Sequence, residues 1–241
     1  GAQGYAAILW LDGDYADHRD LHSDHLAVAA ESSDGAAISP VNWSASLKTL
    51  ADQFGQTTAV NDGHGQTLSF NDLSVRAHAL AHALMTRHGI QPGVPVGSLL
   101  PNRVAAVVSA YGIRASGAAE VLISDKSTGQ EIQWCMRLAN ARWVVTLPER
   151  ASQLRELGFE PIVISTTGEL EGDSDSQKPV VVPGTLAPVA GDIEGRILFT
   201  SGTTGKPKGV LYSHHRRWIA EQMLKASLPF TPTPGQKIIV M

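Results

Sequence analysis

The chain has 241 residues, of which 43% are hydrophobic and 17% charged, with a formal net charge of −4 and a single cysteine. This length suits one domain of ordinary size or a domain and a half, with enough apolar content for a core. The acidic balance argues against nucleic acid or an anionic membrane as a general partner. Lone Cys135 excludes an intramolecular disulfide, fits the cytoplasm, and reads as a buried, inert thiol beside Trp134 and Met136. The best apolar stretch, Val104 to Ile123, is broken by Arg114 and Glu120 and is no membrane span. No basic-then-apolar leader is expected.

Residues 1–40 read as an acidic N-terminal extension. Asp12, Asp14, Asp17, His18, Asp20, His22, Asp24 and His25 lie close together. Imidazole and carboxylate can bind zinc or manganese, but the spacing matches neither an EF-hand nor a His-Glu-x-x-His helix. A solvated acidic segment is the preferred reading, and no residue is assigned as a metal ligand. Ile8 to Leu11 could dock on the body as an added strand.

The body, 41–241, alternates elements. Leu47, Leu50, Ala51 and Phe54 share one face of a helix over 46–54. Strands over 57–60 and 66–70 flank Asn61-Asp62-Gly63-His64-Gly65, a hairpin turn. Asn71 is expected to cap a helix that Gly89 stops. A strand over 96–100 leads to a helix over 102–116 and a buried strand over 119–123. A helix over 131–139, a strand over 142–146, a helix over 149–157 and a strand over 161–164 follow. Residues 168–192, rich in Gly, Pro, Ser and acids, are mostly loop. A strand then ends at Thr200, and a helix runs from His215 to Leu228. Strand–helix units at this spacing predict an α/β fold: a parallel-rich sheet with helices on both faces. Ligands of such sheets gather at the carboxyl ends of the strands.

The residues with most chemical content are Thr200-Ser201-Gly202-Thr203-Thr204-Gly205-Lys206-Pro207-Lys208-Gly209, which follow the apolar run Arg196 to Phe199. Small residues let the backbone approach phosphate oxygens, hydroxyls and amides donate to them, and lysines add charge. A Walker loop needs an earlier glycine and a Ser or Thr after its lysine, where this chain has Pro207. A plain Gly/Ser/Thr linker is the bland alternative. His214 or His215, just downstream, could face a nucleotide or acyl site, or could equally cap a helix or be half-buried. Arg216 and Arg217 resemble phosphate hooks, but Glu221 and Lys225 at i+4 favour a charged helix face. No nucleophile elbow supports a hydrolase.

Phe199 to Gly209 resembles the phosphate-loop signature of the adenylate-forming superfamily, which includes acyl- and aryl-CoA synthetases, luciferases and peptide-synthetase adenylation domains. Val210 to His214 resembles that family's continuation into a strand and a His-headed helix, with a lean toward acyl-CoA synthetases. Leu68 to Leu73 and Gly112 to Ile123 resemble two earlier family elements, while Ser124-Asp125-Lys126 departs from the usual Asn or Pro turn. The resemblance covers about Asn42 to Met241. It implies an incomplete N-terminal domain of such an enzyme, ending after the phosphate loop, because the family's later elements for adenine, ribose and magnesium and its catalytic lysine domain do not occur. An engineered piece, a proteolytic fragment or one half of a split protein would fit, and the isolated chain is expected to be inactive.

The resemblance further implies a two-step reaction. A carboxylic acid is activated with ATP and Mg2+ to an acyl-adenylate, then passed to a thiol, CoA or a carrier phosphopantetheine. Thr200, Ser201, Thr203 and Thr204 would donate hydroxyls, Gly202 and Gly205 would shape the loop, and Lys208 would act catalytically. Lys206 sits where the family varies and is the weaker phosphate ligand. A missing C-terminal portion or a partner chain would complete the site. A non-catalytic scaffold or binding module is the alternative.

Overall fold

The computed structural model describes residues 26–28, 38–171, 185–200 and 208–227. Its main sheet has seven strands: β1 (Leu26–Val28), β4 (Pro95–Leu99), β5 (Ala119–Ile123), β6 (Trp143–Thr146), β7 (Glu160–Val163), β8 (Glu194–Thr200) and β9 (Lys208–Ser213), in the order β1-β9-β8-β5-β4-β6-β7. The strands β7, β6, β4, β5 and β8 are mutually parallel. β9 runs antiparallel to β8, and β1 pairs parallel with β9. A short antiparallel hairpin, β2 (Thr58–Asn61) and β3 (Thr67–Ser69), stands apart. The parallel-rich sheet is thus as expected, with β9 and β1 running opposite to the other five strands.

Alternation along the strands sorts the core into two layers. On one face Leu99, Val121 and Val144 pack with Ile132, Cys135 and Met136 of α4 (Gly129–Leu138) and Leu154 of α5 (Pro148–Glu156). On the other face Val96, Val145 and Ile162 pack with Leu80 and Leu84 of α2 (Phe70–Thr86) and with Ala105 and Ile113 of α3 (Val104–Ala115). Helices therefore cover both faces. Burial pushes the Cys135 thiol up to about 11, helped by Glu131, as expected of an inert core thiol.

Helix starts depend on caps. Asn42 Oδ1 accepts the Ala45 N–H at 2.8 Å and opens α1 (Trp43–Phe54). Asn71 does not cap α2, contrary to expectation. Ser69 does, accepting the Asp72 N–H at 3.0 Å while its own hydroxyl donates to Asp72 Oδ2 at 2.7 Å. This reciprocal box fixes the boundary two residues earlier, leaving Asn71 inside the first turn. Thr128 and Glu131 form the same box on α4, so that helix begins at Gly129 and not at Glu131.

Beside α1, His78 Nδ1 donates to Ser74 O at 2.7 Å, so its Nε2 accepts the Ser44 hydroxyl at 2.7 Å. Leu186 N–H donates to the same Ser44 oxygen at 2.8 Å, and Val41 bridges Val189, which ties residues 185–189 to the start of α1. α2 and α3 pack tightly at Gly112, where a Cβ would lie 2.8 Å from Leu80 Cδ2 and 3.0 Å from Ala77 O. Gly112→Val is expected to force these helices apart and cost about 1–3 kcal/mol in urea unfolding. An unchanged midpoint would show that the crossing has slack.

Among the described residues no helix is long and apolar enough to cross a membrane. The acidic cluster over 12–25 and Ile8 to Leu11 lie outside the described residues. Residues 26–28, within the stretch read as an extension, form the edge strand β1.

Candidate functional site

Five parallel strands place their carboxyl ends on one edge of the sheet, at Leu99, Ile123, Thr146, Val163 and Thr200. At that edge β8 turns back into β9, and Thr200 pairs with Lys208 across the hairpin. Both residues are exposed, and Thr200 Oγ1 points its hydroxyl at Lys208 O, 3.5 Å away. Ser201, Gly202, Thr203, Thr204, Gly205 and Lys206 belong to the connection between these two ends and lie outside the described residues. The pairing therefore fixes where the loop leaves and rejoins the sheet.

The neighbouring β5–α4 turn shares this edge. Ser124 Oγ accepts the Lys126 N–H at 3.2 Å, and Arg150 Nη2 donates to Asp125 O at 3.0 Å and Ser127 O at 3.3 Å. Ser124-Asp125-Lys126 thus makes an ordered turn through side-chain and guanidinium bonds. Among the described residues no group of three or more His, Cys, Asp or Glu could hold a metal ion.

His214, His215, Arg216 and Arg217 are not at this edge. β9 runs antiparallel, so it carries the chain away from the loop, and Ser213 pairs with Glu194 at the start of β8. The seven residues of β8 span roughly 20 Å. α6 (His214–Ser227) therefore begins at the opposite edge. His214 is fully buried there: Trp43 Nε1–H donates to its Nδ1 at 2.9 Å, and its Nε2 donates to Gly117 O at 3.0 Å. The two bonds require the neutral Nε2–H tautomer. Burial above all pulls His214 down to about 4, against the Gly117 bond and with help from Arg217 and Arg114. His215 donates its backbone N–H to Gly191 O at the same edge.

Arg217 is not part of a charged outer face. It is buried, with Nη2 2.8 Å from Glu120 Oε2 and Nη1 donating to Gly195 O at 3.3 Å. Arg196, opposite Glu120 in the β5–β8 register, donates Nε and Nη2 to the same carboxylate oxygen at 3.1 and 2.8 Å. Arg114 pairs with Glu221 at 2.6 Å and lies over the Trp43 and Tyr111 rings. Glu221 is thus engaged by α3. Burial alone would raise the Glu120 carboxyl, but Arg196, Arg217 and Arg114 outweigh it and hold it at about 2. A charge inside a buried parallel strand must find partners. Glu120 in its apolar run was the sequence signal for this cluster, although its partners were not legible.

Residues 47–239 match the family model of the AMP-binding enzymes. The chain belongs to this family. Among curated relatives of this AMP-binding chain, tyrocidine synthase 3 of Brevibacillus parabrevis is 34% identical over 166 residues, 68% of this chain and 2% of that protein. The 4-coumarate–CoA ligase-like protein 3 of Oryza sativa subsp. japonica is 27% identical over 227 residues, 80% of this chain and 38% of that one. Solved structures share the fold: VinN with L-aspartate has a TM-score of 0.67 at 19% identity, covering 79% of this chain and 49% of that one. ATP-bound MatB from Rhodopseudomonas palustris has a TM-score of 0.64 at 23% identity, covering 78% and 38%. The chain thus spans half or less of each of these AMP-binding relatives.

Proposed function

We propose that this chain supplies the phosphate-gripping part of a carboxylate-activating ligase. A carboxylate attacks the α-phosphate of Mg-ATP, forming an acyl-adenylate and releasing pyrophosphate, and a thiol then takes the acyl group with release of AMP. The observation that carries this reading is the pairing of Thr200 with Lys208 at the carboxyl edge, which holds both ends of a Gly/Ser/Thr loop where parallel sheets receive ligands. Thr200, Ser201, Thr203 and Thr204 donate hydroxyls to the β- and γ-phosphates, Gly202 and Gly205 let the backbone close on them, and Lys208 balances charge as pyrophosphate departs. Lys206 contributes less. Magnesium enters as part of Mg-ATP.

The solved relatives support the ligand class, since one is bound to ATP, one to L-aspartate and one, FmoA3, to α-methyl-L-serine-AMP. The thiol is CoA or a carrier phosphopantetheine, in line with a CoA ligase-like relative and several peptide synthetases. The whole reaction is assigned to this chain together with a carboxyl-terminal portion or partner chain.

The test is carboxylate-dependent exchange of labelled pyrophosphate into ATP, on the chain alone and complemented with the carboxyl-terminal portion of an AMP-binding relative. Exchange is expected only after complementation, with thioester appearing on CoA or on a carrier domain. A complemented enzyme that binds ATP but exchanges with no carboxylic acid in a broad panel would favour the scaffold reading.

A further inference from the structure

The phosphate-loop hairpin is anchored in the core by Ile197 and Leu211, with Phe199 packed against them. β8 joins β5 through three register pairs, Glu120↔Arg196 to Leu122↔Leu198, and β9's outer neighbour is the three-residue β1. Among the described side chains of α6, which continues the hairpin, Trp218 packs with Val41, Trp43 and Val189, whereas Ile219 and Met223 are 40% and 65% exposed. Buried ion pairs add to this packing at the base of the hairpin. One carboxylate oxygen, Glu120 Oε2, engages Arg196 of β8 and Arg217 of α6, and the acid itself is wholly buried on β5.

Resting on the phosphate-loop reading, we propose that Glu120 is a positioning residue for Thr200 and Lys208, where that loop leaves and rejoins the sheet. By tying β8 and α6 to the parallel sheet, it fixes the hairpin whose tip presents Thr200 and Lys208 to the nucleotide. Glu120 touches no substrate and acts from beside Arg196, four residues before Thr200 on β8, roughly 13 Å away. The arrangement suits such a role because β8 runs in regular register with β9 from Arg196 to Thr200. A tilt at its base moves its tip, and the opposing strand β9 moves with it through six register pairs. Gly195 adds a second constraint at that base, since a Cβ there would lie 2.9 Å from His214 N, so strand and helix are in backbone contact.

The experiment compares Glu120→Gln with Lys208→Ala in the complemented enzyme, reading KM for ATP and KM for the carboxylate. Hydrogen exchange along the chain is read in parallel. Glu120→Gln is expected to raise KM for ATP roughly 3- to 30-fold, the span of coupling carried through packed networks, with the carboxylate KM unchanged. Exchange is expected to quicken in β8, β9 and α6 but not in β4, β6 and β7. A merely structural role would quicken exchange throughout and leave KM for ATP alone, which overturns the proposal. If Lys208→Ala also leaves ATP turnover untouched, the phosphate-loop reading itself has failed. A defect in Lys208→Ala alone rejects only the role of Glu120. Should Glu120→Gln not fold, the double variant Glu120→Leu, Arg217→Leu removes both fully buried charges together. It is expected to fold with the same ATP defect, and a normal ATP KM in it overturns the proposal.

Discussion

Lys208→Ala is expected to slow adenylation by roughly 30- to 1000-fold, the equivalent of about 2–4 kcal/mol for a lost electrostatic donor at a transition state. Lys206→Ala should cost about tenfold or less. The two lysines flank Pro207, yet only Lys208 belongs to β9, where backbone pairing with Thr200 fixes its Cα. Its side chain is exposed, so removing it leaves no cavity and the fold should be untouched. Pyrophosphate exchange should carry the whole defect, whereas transfer of a supplied acyl-adenylate to the thiol should remain near normal. Equal losses for the two lysines, or a defect confined to thiol transfer, would show that the loop has another job.

Acid should destabilise the chain in two separable waves. His214 falls from an ordinary 6.5 to about 4 in the folded state, so the unfolded chain takes up this proton first. The stabilisation is complete above about pH 6.5, is lost as pH falls toward 4, and amounts to roughly 3 kcal/mol. Glu120, held at about 2 against an ordinary 4.5, contributes stability above pH 4.5 that is lost toward pH 2. His88, lowered first of all by its burial, acts in the same direction as His214. Urea midpoints measured across pH should therefore fall through the first window in the parent. His214→Asn gives up the Gly117 bond and lowers stability at neutral pH, but it should flatten the decline between 6.5 and 4. An unchanged slope in His214→Asn would rule out a neutral buried imidazole as its source.

Much of this protein could be read locally. The strand over 119–123 and its neighbours follow from short apolar runs between turn residues, and the α/β class follows from their alternation with helices. The loop proposed to bind phosphate stands out in the sequence because its chemistry lies in consecutive residues, Thr200 to Lys208. The helix starts were harder. Asn71 and Ser69 are both good capping residues, and only the reciprocal bonds between Ser69 and Asp72 choose between them.

The sequence by itself determined most of the elements of the body, their order and the loop to which phosphate binding is assigned as a proposal, because each depends on residues within a few positions of one another. The tertiary structure alone decided what surrounds that loop. His214 and Arg217 follow it closely in the chain, but antiparallel β9 carries them to the far edge, and no local pattern states a strand's direction. Glu120 meets Arg196 across 76 residues, and Arg114 meets Glu221 across 107. A buried charge announces that it needs a partner, since its desolvation must be offset, but which arginine answers depends on how sheet and helices pack.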